Sequence, residues 1–157
     1  MAEHEPAVQA LCQHYGETDP EALILRLCRG LLSEAPTEAG PTPLLVLGSC
    51  RCIRDVLYGP LAGGSGCSGL LRLDDGGYVV TLDEEEPPGR QRRSHGHEIV
   101  HTFFREVSPG PPGPEEERLC ELGAAELTMP AERVRKFMGG RGRITFEVVN
   151  ERAEERR

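Results

Sequence analysis

The stretch His95-Gly-His-Glu-Ile-Val-His-Thr-Phe-Phe104 decides the fold and the chemistry expected of this chain. It contains an H-E-x-x-H pattern, His97-Glu98-Ile99-Val100-His101. In a helix, side chains four positions apart lie on one face, so His97 and His101 can bind the same cation. His95, two positions earlier, should point away from that face. The apolar residues of the stretch predict a buried helix face: Ile99, Val100, Phe103 and Phe104.

Glu98 lies beside the first of these histidines, where its carboxylate can act as a general base on a water molecule. Neutral imidazoles suit zinc, and a bound zinc ion lowers the pKa of water from about 16 towards about 7. The pattern therefore predicts a zinc site with Glu98 as the catalytic residue. Ser94 is a suitable N-cap for a helix that begins at His95, and the proline-rich residues 108–114 should end it.

The segment 115–130 is the next predicted helix. Its apolar stripe is expected on Leu119, Leu122, Ala125 and Met129, and its first turn is acidic, as the helix dipole favours. Two histidines do not complete a catalytic zinc site, which usually has three protein ligands. A carboxylate from this second helix would supply the third.

The stretch Glu117-Arg-Leu-Cys-Glu-Leu-Gly-Ala-Ala-Glu-Leu-Thr-Met-Pro130 resembles the glutamate helix of the ImmA/IrrE-type zinc metallopeptidases, which are small gluzincin-like bacterial proteins that also carry H-E-x-x-H. The resemblance covers about residues 42–138 and implies that Glu117 is the third zinc ligand, after His97 and His101. The chain departs from the family pattern in three places. Where this chain has Glu121, Arg93 and Gly96, the family has an asparagine, an aromatic residue and an alanine, respectively.

This resemblance implies an α+β fold, a helical minigluzincin-like domain with a small antiparallel β-sheet beside the active-site helix. We expect a peptidase domain over residues 1–138, with an N-terminal helical hairpin (1–33) and the family-like core (42–138). Residues 139–157 form a C-terminal strand, at 144–149, and a charged tail with no assigned role. Residues 70–73 and 78–82 predict a β-hairpin. The strand Tyr78–Leu82 is expected to receive an extended substrate by β-augmentation.

Charge and composition exclude several classes of partner. The 157 residues carry a net charge of −8, which argues against nucleic acid or an anionic membrane as a direct partner. The chain begins with no signal-peptide pattern, and no apolar run reaches the roughly 18 residues of a membrane span. The six cysteines show no disulfide-framework spacing. We therefore expect a cytoplasmic protein.

The interpretation that these features favour is a zinc-dependent endopeptidase. What the family resemblance adds is a substrate, since such proteins commonly cleave or inactivate a helix-turn-helix transcriptional repressor. An alternative is a zinc-stabilised regulatory protein that binds a repressor without proteolysis, although such a protein does not need Glu98. A zinc hydrolase of non-peptide amides is a third interpretation, because the ligands determine the reaction and not the substrate.

Overall fold

The protein has an α+β fold, as the sequence predicts. A computed structural model describes residues 3–35, 40–61 and 68–139. Within these ranges the elements in chain order are α1 (Pro6–Tyr15), α2 (Pro20–Ser33), α3 (Leu44–Cys50), β1 (Ile53–Gly59), β2 (Gly69–Arg72), β3 (Tyr78–Asp83), α4 (Pro88–Val107), α5 (Pro114–Thr128) and α6 (Ala131–Phe137). The predicted strand at 144–149 lies outside the described residues, as do residues 62–67.

The two helices of the N-terminal hairpin are bounded by residues suited to those positions. Gly16 terminates α1 in the left-handed conformation, with φ of 66°. The side chain of Asp19 caps α2 by accepting hydrogen bonds from the backbone N–H groups of Glu21 and Ala22. The inward faces of both helices lie in the hydrophobic core and pack against α4 and α5.

The sheet has the strand order β1-β3-β2, with β3 in the centre. β3 pairs with β1 in parallel and with β2 in antiparallel register, so the sheet is mixed, whereas an antiparallel sheet was expected. The residues of β3 are buried or half-buried on both faces, as a central strand requires. Both edges of β3 are therefore occupied, and the expectation that substrate pairs with Tyr78–Leu82 is wrong. β2 is an outer strand beside α4.

The active-site helix α4 begins at Pro88, seven residues before the predicted start at His95. Proline is favourable in the first turn because it has no N–H group to leave unpaired. The helix therefore begins at the Pro87-Pro88 pair and not at the predicted cap, Ser94. Ser94 consequently lies inside the helix. The predicted end is confirmed, since α4 stops at Val107, ahead of the proline-rich segment.

The inward face of α5 differs from the predicted stripe. Met129 is 68% exposed, whereas Leu119, Cys120, Gly123, Ala124 and Leu127 are buried. The small residues allow α5 to approach α4 closely. A Cβ atom at Gly123 would lie only 2.7 Å from Cγ2 of Val100. This close contact brings the first turn of α5 towards the histidines of α4.

Candidate metal centre

The two histidines of the H-E-x-x-H pattern face each other on α4. Their Nε2 atoms are 3.0 Å apart, and the ring centroids are separated by 4.7 Å. Both residues are buried, with 8% of His97 and 6% of His101 exposed. The helical spacing of four residues therefore places two imidazole nitrogens where one cation can meet both.

Glu117 on α5 brings a carboxylate to the same point. Its Oε2 atom lies 2.8 Å from Nε2 of His97, and its Oε1 atom lies 3.2 Å from Nε2 of His101. Two imidazole nitrogens and one carboxylate thus converge from two helices. This set of ligand atoms suits a divalent cation that binds both nitrogen and oxygen ligands, such as zinc.

Cys120 is a second candidate for the third ligand position, one turn further along α5. The ligand atoms of His97, His101 and Cys120 all lie within 4.8 Å of one another, so these three residues could hold a metal ion. Burial raises the pKa of the Cys120 thiol, and the carboxylates of Glu116, Glu117 and Glu98 raise it further. A metal-binding cysteine must be a thiolate. No sequence pattern indicates this proximity.

Glu116 is a residue of the site that sequence analysis missed. Its side chain is completely buried, and Oε1 lies 2.8 Å from Nδ1 of His101. Arg105 of α4 donates hydrogen bonds to both oxygens of the same carboxylate. Because a carboxylate accepts hydrogen bonds, this contact places the proton of His101 on Nδ1 and leaves Nε2 free to bind a cation. Its helical spacing from the buried residues Cys120, Gly123 and Leu127 could have indicated that Glu116 lies on the inward face of α5.

Glu121 and Arg93, two of the three departures from the family pattern, contact each other. Nε of Arg93 donates to Oε2 of Glu121 at 3.0 Å, and Nη2 lies 2.9 Å from the same oxygen. The other oxygen of Glu121 is 2.8 Å from Nδ1 of His97, although the two atoms are not aligned as a hydrogen bond. Arg93 therefore pairs with the carboxylate that lies next to the Glu117 position.

Glu98 points into a cleft of about 550 Å³ that also contains the His97 and Glu117 side chains. Glu98 is only 4% exposed, and its Oε1 atom accepts a hydrogen bond of 2.5 Å from the hydroxyl of Ser68. Ser68 immediately precedes β2, so the outer strand of the sheet begins next to the expected general base. The H-E-x-x-H pattern indicates Glu98 but not the serine that orients it.

The electrostatics of the centre favour a positive charge. Burial alone would lower the pKa of His101, but the hydrogen bond with Glu116 and the charges of Glu98 and Glu117 raise it above its ordinary value overall. Neighbouring carboxylates favour a bound cation for the same reason that they favour the imidazolium form.

His95 lies apart from the metal centre, in agreement with its position two residues before His97. It lines a separate pocket of about 410 Å³ between α3 and β1, close to Gly48. Burial, and secondarily the charge of Arg92, lowers the pKa of His95 to about 4. His95 is therefore a neutral side chain of the packed interior.

A known family covers this part of the chain. The family model described as Peptidase_M78, IrrE N-terminal-like domain, matches residues 62–155, which is more than half of the sequence and includes all the residues of the candidate centre. No curated protein matches the chain. Among the described residues, no helix has the length and apolar character needed to cross a membrane.

Proposed function

The chain belongs to the Peptidase_M78 family, and on that premise we propose that it is a zinc-dependent endopeptidase that makes a limited cut in a helix-turn-helix transcriptional repressor. The observation that carries the chemistry is the convergence of His97, His101 and Glu117 within 3.2 Å at a cleft that also contains Glu98. Metal-assisted peptide hydrolysis uses such a combination of metal ligands and a general base.

Each residue of the centre has a defined role in this proposal. His97, His101 and Glu117 would hold the zinc ion, and Glu116 orients His101 through its Nδ1 atom. A bound zinc ion would polarise the scissile carbonyl and make water a better nucleophile. Glu98 accepts a proton from the attacking water and then delivers it to the leaving amine. Ser68 holds the Glu98 carboxylate in place through the 2.5 Å hydrogen bond.

The outer strand β2 is the best position for an extended substrate. The backbone N–H of Leu73 donates to the carbonyl of Gly77 at the hairpin end. Hydrogen bonds alternate along an antiparallel pair, so the backbone groups of Leu70 and Arg72 face away from β3. No described strand pairs with this edge of β2, and a peptide that pairs with it would pass Ser68, and hence Glu98, at the start of the strand. Such pairing requires an extended segment, which favours an exposed linker of the substrate.

A repressor is proposed as the substrate because the family resemblance implies one and because the charge of this chain opposes direct action on DNA. With a net charge of −8, the chain would repel phosphate, so an effect on transcription should pass through another protein. We place the reaction in the cytoplasm, where a transcriptional repressor would be available.

The test is incubation of the zinc-loaded protein with a helix-turn-helix regulator from its own genome. Mass spectrometry and a DNA-shift assay on the same samples should show one cut and a loss of operator binding. Glu98→Gln is the matched control, because it keeps the size of the side chain and removes the base. An intact repressor that nevertheless leaves its operator, with wild type and Glu98→Gln alike, would support the alternative of binding without proteolysis.

A further inference from the structure

Glu5 places its side-chain carboxylate at the first turn of α5, which lies 110 positions further along the chain. Its Oε1 atom accepts a hydrogen bond from the backbone N–H of Glu115 at 2.9 Å, and its Oε2 atom accepts one from the N–H of Glu116 at 3.2 Å. Glu5 immediately precedes α1, yet its side chain makes no capping hydrogen bond to that helix. The carboxylate therefore serves a helix other than its own.

These two N–H groups are the ones that α5 cannot satisfy by itself. The first N–H groups of a helix have no acceptor one turn earlier. Pro114, the first residue of α5, has no N–H, and the N–H of Glu117 already donates to the carbonyl of Gly113 at 3.0 Å. An N-cap side chain normally accepts from the second and third residues of its helix, but the N-cap residue here is Gly113, which has no side chain. Glu5 takes the place of that missing cap.

Gly113 leaves the room that the Glu5 carboxylate needs. A Cβ atom added at Gly113 would lie 2.5 to 2.6 Å from three atoms of the Glu5 carboxyl group. A second pair of contacts joins the same two segments, since the carboxylate of Glu115 lies 2.7 Å from Nδ1 of His4 and accepts the backbone N–H of Glu5 at 3.4 Å. Both of these contacts require only an acceptor oxygen at position 115. The starts of α1 and α5 are thus connected in both directions.

We propose that Glu5 is a positioning residue of the metal centre, which holds the first turn of α5, and with it Glu116 and Glu117, against the histidines of α4. This inference rests on the zinc centre of the proposed function. Glu117 makes the first backbone hydrogen bond of α5, and 45% of its side chain is exposed, so its place beside His97 and His101 depends on the backbone of that turn. Helix ends fray when their N–H groups lose a cap.

The experiment compares Glu5→Ala with wild type. Zinc affinity, measured by competition with a coloured chelator, should fall by roughly 10-fold, as is typical when a contact that orients a metal ligand is lost. The backbone N–H groups of Glu115 and Glu116 should exchange with solvent faster, with or without zinc. Glu3→Ala is the matched control, because Glu3 is an exposed acidic residue of the same segment, and both measurements should remain at wild-type values there.

Two further variants separate positioning from general stability. Asp19 caps α2 in the same way, by accepting from the N–H groups of Glu21 and Ala22, so Asp19→Ala should lower the unfolding temperature to a similar extent and leave zinc affinity unchanged. Adding Gly113→Asp to Glu5→Ala supplies α5 with a capping carboxylate of its own. The backbone at Gly113 is already extended, with φ of −98° and ψ of 176°, as an N-cap requires, so zinc affinity should recover.

Unchanged zinc affinity or unchanged amide exchange in Glu5→Ala would overturn the positioning role. So would a loss of zinc affinity no larger than that of Asp19→Ala, or a loss that Gly113→Asp does not reverse. Because none of these measurements depends on cleavage, they are separable from the proposed function. A wild-type protein that binds zinc and cuts no substrate would count against the peptidase, while a zinc affinity that requires Glu5 would still support the positioning role.

Discussion

The Nδ1 atom of His101 lies 2.8 Å from the Oε1 atom of Glu116, whose side chain is completely buried. Arg105 binds the same carboxylate from α4, so the imidazole is oriented by a side chain that is itself fixed from two sides. A hydrogen bond between a metal-binding histidine and a neighbouring carboxylate strengthens metal binding, because it sets the tautomer and the orientation of the imidazole ring. His101 is therefore prepared to bind a metal before any metal arrives.

Glu116→Gln should weaken zinc binding by about 10- to 100-fold, because the neutral amide accepts the Nδ1 hydrogen bond less strongly and loses the Arg105 charge pair. Competition with a coloured zinc chelator measures the effect. Glu115→Gln is the control, since the neighbouring Glu115 contacts His4 and not the centre. Unchanged zinc affinity in Glu116→Gln would show that Glu116 only stabilises the fold.

The third metal ligand can be assigned by comparing Glu117→Ala with Cys120→Ala. Glu117 reaches both imidazoles directly, whereas the pKa of the Cys120 thiol is raised by burial and by surrounding carboxylates. We expect Glu117→Ala to lose most of the zinc and Cys120→Ala to retain it, as measured by elemental analysis of the purified proteins. The opposite pattern would make Cys120 the ligand.

Close packing of α4 against α5 is expected to control both stability and metal binding. In Gly123→Ala the new methyl group would meet Val100, and overpacking of this kind costs about 1–3 kcal/mol, more than the roughly 1 kcal/mol gained from helix propensity. The free energy of unfolding and the zinc affinity should both fall, as chemical denaturation and chelator competition would show.

Gly30→Ala supplies the matched comparison, because Gly30 is an exposed glycine inside α2, and no atom lies within 4 Å of the position that an added Cβ would occupy. It should stabilise the protein by up to about 1 kcal/mol through helix propensity alone. If Gly123→Ala were equally stabilising, the close packing of α4 against α5 would not depend on a glycine at position 123.

Ser68→Ala tests whether the start of β2 positions the general base. The change removes the 2.5 Å hydrogen bond to Glu98 without touching a metal ligand. We expect kcat to fall by about 10-fold while the zinc content stays the same, because a misoriented base contributes less to proton transfer. Ser68→Thr keeps a hydroxyl group and should recover part of the loss. A drop in zinc content would instead indicate a structural role.

Local sequence patterns predicted the parts of this fold that depend on local interactions. The spacing of His97 and His101, the cap at Asp19 and the left-handed end at Gly16 all follow from the chemistry of a few neighbouring residues. The α+β class was also correct, although it came from the family resemblance. These features need no information about what packs against them.

The features that the sequence did not predict depend on contacts between distant elements. The inward face of α5 is set by how Gly123 packs against Val100, and that packing turns Glu116 towards His101. The central place of β3 depends on parallel pairing with β1, which local alternation does not specify.

The most direct test of the central claim is a comparison of wild type with Glu98→Gln in which zinc content and cleavage are measured on the same samples. Both proteins should bind one zinc ion, because Glu98 is not a proposed ligand, and turnover of a peptide or repressor substrate should fall by orders of magnitude in the variant. Cleavage by Glu98→Gln at the wild-type rate, with zinc present in both, would contradict the mechanism.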